Sequence, residues 1–295
     1  MHEKKNGLRG VASVGRLMAA TAAIALAAFG ADALAGIANT KHNLVSINAA
    51  NNRFAPASGT AEICVFCHTP HAAATGATVP PLWNKALTPG PFTLYDTNVS
   101  STIDGESIAV GSVSIACLSC HDGTQAMNNM INAPGSGQYN SAGANIAGVW
   151  TAGTNTASPV DPATGQLAAR TTNAGVGNIG TDLRDDHPIG IQYCGGGPTV
   201  SNPGTACRDG DFTAPTNGTI SGNVVFWVDT GGAGRQKTDL TLYNRNFAVA
   251  GNGPAVECAS CHDPHSETNA TFLRISNAAS AVCLTCHVGG IPGGE

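Results

Sequence analysis

Residues 64–68 read Cys-Val-Phe-Cys-His, and the same C-x-x-C-H spacing returns at residues 117–121, 258–262 and 283–287. Two cysteines at this spacing can attach one porphyrin through two thioether bonds, and the histidine that follows can bind its iron. A bare C-x-x-C pair could instead bind zinc or act as a redox dithiol. Neither alternative requires a histidine after every pair. The set therefore predicts four covalently attached c-type haems.

The motifs predict two groups of site residues. The cysteines expected to form the thioether bonds are Cys64, Cys67, Cys117, Cys120, Cys258, Cys261, Cys283 and Cys286. The histidines expected to bind the four irons from the proximal side are His68, His121, His262 and His287.

The remaining histidines match the number of open iron positions. Beyond the N-terminal 35 residues, the histidines outside the motifs are His42, His71, His187 and His265. Four spare imidazoles for four irons predict bis-histidine ligation at every haem. Met127 and Met130 could supply thioether ligands instead, but we interpret them as packing residues because the histidines already suffice.

Two of these histidines have a common context. His71 and His265 each stand three residues after a motif histidine, in the pattern H-x-P-H. The second ligand of an iron lies on the opposite face of the porphyrin, and three residues reach only about 10 Å at full extension. Each of the two should therefore bind a haem other than the one attached just before it. Neighbouring haems are expected to be in close contact.

The first 35 residues are typical of a secretory signal peptide. A basic start precedes an apolar, Ala-rich stretch over residues 17–29, and Ala33-Leu34-Ala35 is a cleavage site with the cut expected before Gly36. An uncleaved membrane anchor is the alternative, but the apolar stretch is shorter than the ~20 residues a span needs. No membrane span is expected in the mature chain. With 14 basic against 19 acidic residues, the chain has a formal charge of −5, which argues against a nucleic-acid partner.

The composition predicts a fold built around its cofactors. Gly numbers 37 of 295 residues and charged residues are only 11%. We expect mostly coil with short helices and a few short strands, wrapped around four haems. The prediction is one domain over residues 36–295: an N-terminal haem pair (36–122), a loop- and β-rich middle segment (123–257) and a C-terminal haem pair (258–295). Within it, strands are predicted at 221–230 and 239–243, and a short helix at 277–284.

Two cysteines lie outside the motifs. Cys194 and Cys207 are the pair left when the eight motif cysteines are set aside. In an exported protein this predicts a disulfide that closes a Gly- and Pro-rich loop. Two free thiols, or a metal-binding pair, are the alternative.

Several segments resemble the multihaem c-type cytochromes with paired CXXCH motifs. These are Lys41–Leu44, CVFCHTPH at 64–71, Asp186–Ile189 and CASCHDPH at 258–265. Within that group the chain resembles the tetrahaem subunits of extracellular cytochrome nanowires (the OmcE type). The resemblance implies export, a coil-rich fold around a continuous haem chain, and one distal histidine supplied by the next subunit. It suggests that His71 reaches the third motif of a neighbour, with His42 at the first motif, His187 at the second and His265 at the fourth.

The expected function is electron transfer, not catalysis. The main hypothesis is a conductive extracellular filament of identical subunits, at or beyond the outer-membrane surface, that links upstream and downstream redox proteins to extracellular electron acceptors. A monomeric periplasmic shuttle to a reductase or outer-membrane conduit is the alternative. A multihaem reductase is the third hypothesis. Catalysis needs an iron with an exchangeable position, whereas the histidine count fills every position.

Overall fold

An antiparallel sheet in the C-terminal half is the largest regular element of the chain, here described from a computed structural model. Its centre is the apolar run Asn223–Val228, which pairs with Leu240–Phe247 so that Phe226 lies opposite Leu242. Phe226, Val228 and Leu240 are almost fully buried. These two strands were predicted from the sequence, and both predictions are confirmed.

The structure describes residues 36–45, 47–57, 62–75, 80, 82–87, 90–136, 138–154, 159–169 and 177–288. The strands are β1 (Arg53–Pro56), β2 (Asn129–Asn132), β3 (Tyr139–Asn145), β4 (Gly148–Thr151), β5 (Ile191–Gln192), β6 (Thr216–Ile220), β7 (Asn223–Val228), β8 (Leu240–Phe247) and β9 (Gly251–Val256). The α-helices are α1 (Ser112–His121), α2 (Cys258–Cys261) and α3 (Ala281–Cys286). Single 3₁₀ turns lie at Gly36–Asn39, Cys64–Phe66, Pro134–Ser136, Tyr193–Gly195, Ala270–Phe272 and Ala278–Ser280.

Five strands form the main sheet in the order β5-β9-β8-β7-β6, and all neighbours are antiparallel. A two-residue turn joins β6 to β7, and both of its residues, Ser221 and Gly222, have positive φ angles of 49° and 81°. Such a turn matches the natural twist of a hairpin. Strand β9 ends at Val256, two residues before the third motif, so the sheet sets the position of that motif directly.

The N-terminal half has two smaller antiparallel pairs, β1 with β4 and β2 with β3. Between them lies a core that includes Phe54, Phe66, Trp150 and the two methionines Met127 and Met130. Both methionines are buried, at 4% and 2% exposure. The prediction that they are packing residues is confirmed. A separate core under the main sheet is built around Tyr193, Phe226 and Leu242, and a third, smaller one around Val110, Leu118 and Leu183.

Most of the described chain is coil with short helices and short strands, as the composition predicts. The predicted helix at 277–284 is present in part, as a 3₁₀ turn followed by α3. The predicted signal peptide, residues 1–35, lies outside the described residues. The described residues from Ile37 onward form one unit. Within the described ranges, no helix combines the length and apolar character needed to cross a membrane.

Candidate haem-binding site

The first, third and fourth motifs each form a single tight turn that carries both cysteines. In the first motif, the N–H groups of Cys67 and His68 both donate to the carbonyl of Cys64, at 3.1 and 2.8 Å. The intervening Val65 and Phe66 are buried in the core, whereas Cys64 is exposed and Cys67 partly so. The third and fourth motifs repeat the turn. The backbone N–H of His262 donates to the carbonyl of Cys258, and that of His287 donates to the carbonyl of Cys283. The x-x residues of the first motif thus anchor the turn and leave the thiols available.

A short second segment braces three of the four motifs in the same way; we call these segments braces. They are residues 82–84 for the first motif, 272–274 for the third and 211–213 for the fourth. Each brace accepts a hydrogen bond from the residue after the motif histidine, and its third residue donates to the carbonyl of the second cysteine. For the first motif these are Thr69 N to Leu82 O at 2.9 Å and Asn84 N to Cys67 O at 2.8 Å.

The middle residue of each brace is large and apolar and forms a β-bridge with the motif histidine. The three bridges are His68 with Trp83, His262 with Leu273 and His287 with Phe212. The Trp83 ring lies edge-on to His68, with 5.7 Å between centres, and Phe212 lies 4.5 Å from His287. The sequence analysis missed these residues because no spacing links a brace to its motif. The scarcity of aromatic residues, 5% of the chain, was the one available signal.

The second motif is held differently, because it forms the C-terminal part of α1. Leu118 and Ser119 between its cysteines are fully buried. The carbonyl of His121 accepts a hydrogen bond from Ile179 N at 2.8 Å, and its ring Nδ1 bonds the carbonyl of Gly177.

Two motif histidines face a spare histidine from elsewhere in the chain. The rings of His68 and His265 have centres 6.3 Å apart and planes within 17° of parallel. The rings of His42 and His121 have centres 6.1 Å apart at an angle of 67°. Two imidazole nitrogens bound to one metal on opposite sides are about 4 Å apart, which places the ring centres roughly 6 Å apart. Both pairs therefore have the separation that a shared iron requires.

His187 is within electrostatic range of His287 of the fourth motif. Burial lowers the pKa of His187, and the neighbouring His287 lowers it further. These pairs differ from the sequence-based assignment, which placed His265 at the fourth motif, His187 at the second and His42 at the first. The difference arises because the folded chain brings residue 265 back to the first motif, a contact that spacing along the sequence does not encode.

Hydrogen bonds at the ring Nδ1 atoms provide a test of whether these histidines fit an iron. The Nδ1 atoms of four histidines lie within hydrogen-bond distance of backbone carbonyls: His42 with Pro264, His121 with Gly177, His187 with Pro188 and His262 with Thr271. A metal-binding histidine commonly donates its other ring N–H to such a partner, which fixes the ring and leaves Nε2 for the metal. These four histidines therefore fit the group that the motifs imply, because Nε2 of each would be left to bind an iron.

His71 and His262 stand apart from these pairs. The His71 side chain is exposed, and its backbone carbonyl accepts hydrogen bonds from Thr69 Oγ1 and Asn132 Nδ2, each at 2.9 Å. Asn132 Nδ2 also lies 3.2 Å from the carbonyl of Ala72, whose φ is +49°. Within the described residues, no spare histidine ring packs against His262. Hydrogen bonds thus fix the turn that carries His71, while the His71 imidazole points outward.

The four motifs lie beside one another in chain order. Burial raises the pKa of Cys67 to about 12, and Cys120 of the second motif contributes to the rise. A hydrogen bond between Cys117 and Cys258, of the second and third motifs, raises the pKa of Cys117. Burial raises the pKa of Cys286 to about 12, with a contribution from Cys261 of the third motif. Each motif is therefore close to the next.

A buried ion pair fixes the second motif against the third. The Glu257 carboxylate, 1% exposed, accepts hydrogen bonds from Arg245, from Ser114 Oγ and from the N–H of Gly111. Ser114 Oγ also accepts a 2.9 Å bond from Cys258 N. Since Ser114 lies on α1 and Cys258 begins α2, this network joins the two cysteine-bearing helices.

The predicted disulfide between Cys194 and Cys207 is present, with an S–S distance of 2.14 Å. The eight motif cysteines are unpaired. Cys194 belongs to the core under the sheet, against which Cys286 of the fourth motif and Val282 just before that motif are packed. The hydroxyl of Tyr193 donates to the carbonyl of Thr213, in the brace of the fourth motif, at 2.8 Å. The disulfide loop thus supports the fourth motif through the core and through that brace.

Comparison with known proteins agrees with this site. The doubled CXXCH motif family matches residues 250–290, which include the third and fourth motifs. No curated protein matches the chain. The match and the four motifs indicate a multihaem c-type cytochrome with covalently bound haem that takes part in electron transfer. Cytochromes of this type are generally exported.

Proposed function

We propose that the chain is a tetrahaem, bis-histidine cytochrome that polymerises into an extracellular conductive filament. Each bound haem would supply a one-electron Fe(III)/Fe(II) couple. The order of contacts between the motifs supports a single relay. The protein would hold this relay in place in two ways. The braces and the Glu257 network fix the turns that carry the cysteines, and paired imidazoles would complete the iron sites.

One observation carries the filament proposal. Three motif histidines lie close to a spare histidine of the same chain, whereas His262 has no such neighbour among the described residues and His71 is exposed. His71 of one subunit would therefore complete the third site of the next. Assembly and iron ligation would then depend on each other. A head-to-tail contact of this kind gives an open filament when its rotation does not close into a ring.

The test is electron microscopy of the secreted protein, combined with His71→Ala. The wild-type chain should give filaments. The variant should give soluble subunits with four haems, one of them without a second histidine. His71→Met, which restores a ligand of a different kind, should recover part of the assembly. Filaments in the His71→Ala variant would exclude His71 as the ligand between subunits. A monodisperse wild-type monomer with four low-spin haems would favour the periplasmic shuttle.

A high-spin haem in the intact wild-type protein that binds cyanide or nitrite would favour the reductase. The paired-motif match favours an electron carrier over that alternative.

A further inference from the structure

Lys85 is fully buried, and the described residues offer it no anionic partner. Its side chain is 0% exposed, and its Nζ donates to the carbonyls of Ala126, Met127 and Asn129 at 3.3, 3.0 and 2.9 Å. These three acceptors match the three donors of an ammonium group. No carboxylate of the described residues lies within ion-pair distance of it. Carbonyl dipoles solvate the charge but do not neutralise it, so a full positive charge remains inside the protein.

The charge lies between the first two motifs. Lys85 follows the first brace, whose Asn84 donates to the carbonyl of Cys67. The carbonyls that hold Nζ begin five residues after His121 of the second motif. The ammonium group also acts on Cys67 electrostatically, in the direction that lowers the pKa of its thiol, against the larger effect of burial. Lys85 is therefore close to the cysteine that would attach the first haem.

We infer that Lys85 is a fixed charge that raises the reduction potential of the haem held by the first motif. Reduction adds one negative charge to that haem, and a nearby positive charge stabilises the reduced form. Burial matters because a charge out of contact with water is screened little by salt. The inference rests on the proposed function, in that it requires a haem at residues 64–68.

Arg274 provides the matched comparison. It lies at the third brace, and its guanidinium donates to the carbonyl of Ala259 inside the third motif, at 3.1 and 3.0 Å. It is also without an ion-pair partner in the described part of the chain, but it is partly exposed. Removing it changes the net charge by the same amount as removing Lys85. Its effect should be smaller, should fall on a different haem and should weaken with salt.

The experiment is a spectroelectrochemical titration of full-length, haem-loaded protein at low and high salt. Lys85→Gln should lower the equilibrium constant for reduction of one haem by a factor of about ten. For a one-electron couple this lowers the midpoint potential of that haem by about 59 mV. The shift should be almost independent of salt. Arg274→Gln should shift a different midpoint by less, and salt should reduce that shift. Gln125→Ala removes a neutral side chain whose amide donates to the carbonyl of Ala86, next to Lys85, and should leave the midpoint unchanged.

A second variant keeps the test decisive if Lys85→Gln does not fold. Gln125 precedes Ala126 and donates to the carbonyl of Ala86, next to Lys85, at 3.1 Å. Gln125→Glu adds a negative charge there with almost no change in shape, and should lower the same midpoint.

Haem content, measured by mass and by the haemochrome spectrum, distinguishes failure of the proposed tetrahaem function from failure of the role proposed for Lys85. A wild-type chain without haem on residues 64–68 would refute the proposed tetrahaem function. Four haems with unshifted midpoints in Lys85→Gln or, where that variant does not fold, in Gln125→Glu would overturn the role of Lys85 alone. An equal shift in Gln125→Ala would also overturn it, because local packing and not charge would then be the cause.

Discussion

The rings of His68 and His265 have centres 6.3 Å apart, although the two residues lie 197 positions apart in the sequence. This contact joins the first motif to the turn that follows the third. The turn that carries His262 of the third motif therefore also brings His265, three residues further on, to the first motif. The H-x-P-H spacing predicted that His265 serves a haem other than that of the third motif, and the position of its ring points to the first motif.

His265→Ala should leave one haem per chain with a single histidine ligand, and the first haem should be the one affected. The ferric spectrum should therefore gain one high-spin haem in four. His265 is assigned to the fourth haem by the sequence and to the first haem by the structure. Removing the fourth haem with Cys283→Ser and Cys286→Ser distinguishes these two assignments. In that background His265→Ala should still produce the high-spin signal.

His187→Ala is the matched control for this experiment, because His187 lies beside His287. It should add a high-spin haem to the otherwise wild-type chain and none after the fourth haem has been removed. If His265→Ala instead lost its effect in that background, His265 would belong to the fourth motif.

Asn132→Ala should weaken assembly without removing haem. Its side-chain amide contacts Thr69 Oγ1 and the carbonyls of His71 and Ala72, so it fixes the turn that carries His71. The loss of bonds worth roughly 1 kcal/mol each should raise the subunit concentration needed for filaments by on the order of tenfold. Light scattering measures this. Asn140→Ala, on the exposed strand β3, should have no effect, and equal effects from both variants would contradict the role of Asn132.

Replacing Cys194 and Cys207 with serine should lower the free energy of unfolding. A loop of this length, with 13 residues of sequence separation, gives about 3 kcal/mol in the chain-entropy estimate. Denaturant unfolding of the haem-loaded protein measures the difference. Because the loop supports Thr213 and the fourth motif, the spectrum of the fourth haem should change before those of the others. An unfolding curve that matches the wild type would exclude the disulfide as a source of stability.

Glu257→Gln should flatten the dependence of stability on pH. Burial raises the pKa of Glu257 above its ordinary value of 4.5 in the folded chain, although Ser114 and Arg245 oppose the rise. Below pH 4.5 the carboxyl is protonated in both states. As the pH rises from there through the raised pKa, the unfolded chain loses its proton first, so the free energy of unfolding falls.

The amide variant has no proton to lose and should lack this part of the slope. Unfolding curves between about pH 4 and pH 8 measure it. Wild-type and variant slopes that run parallel would contradict the prediction.

Local signals in the sequence predicted the local parts of this structure. The C-x-x-C-H spacing predicted the turns, the leftover cysteines predicted the disulfide, and the apolar run at 223–228 predicted β7. Strand β9 was missed because Gly251-Asn252-Gly253-Pro254 has the composition of a loop, and its partner β8 overrides that preference. The braces and the histidine pairs were missed for the same reason: each depends on contacts between distant residues, which no spacing encodes.

The position of His265 opposite His68 also sets an order of events as the chain is made. His42 and His121 both lie in the first half, so the second site has both of its rings early. The first site is synthesised before the second, yet its opposing ring arrives only with the last thirty or so residues. The first site to be synthesised would therefore be among the last to receive its opposing ring.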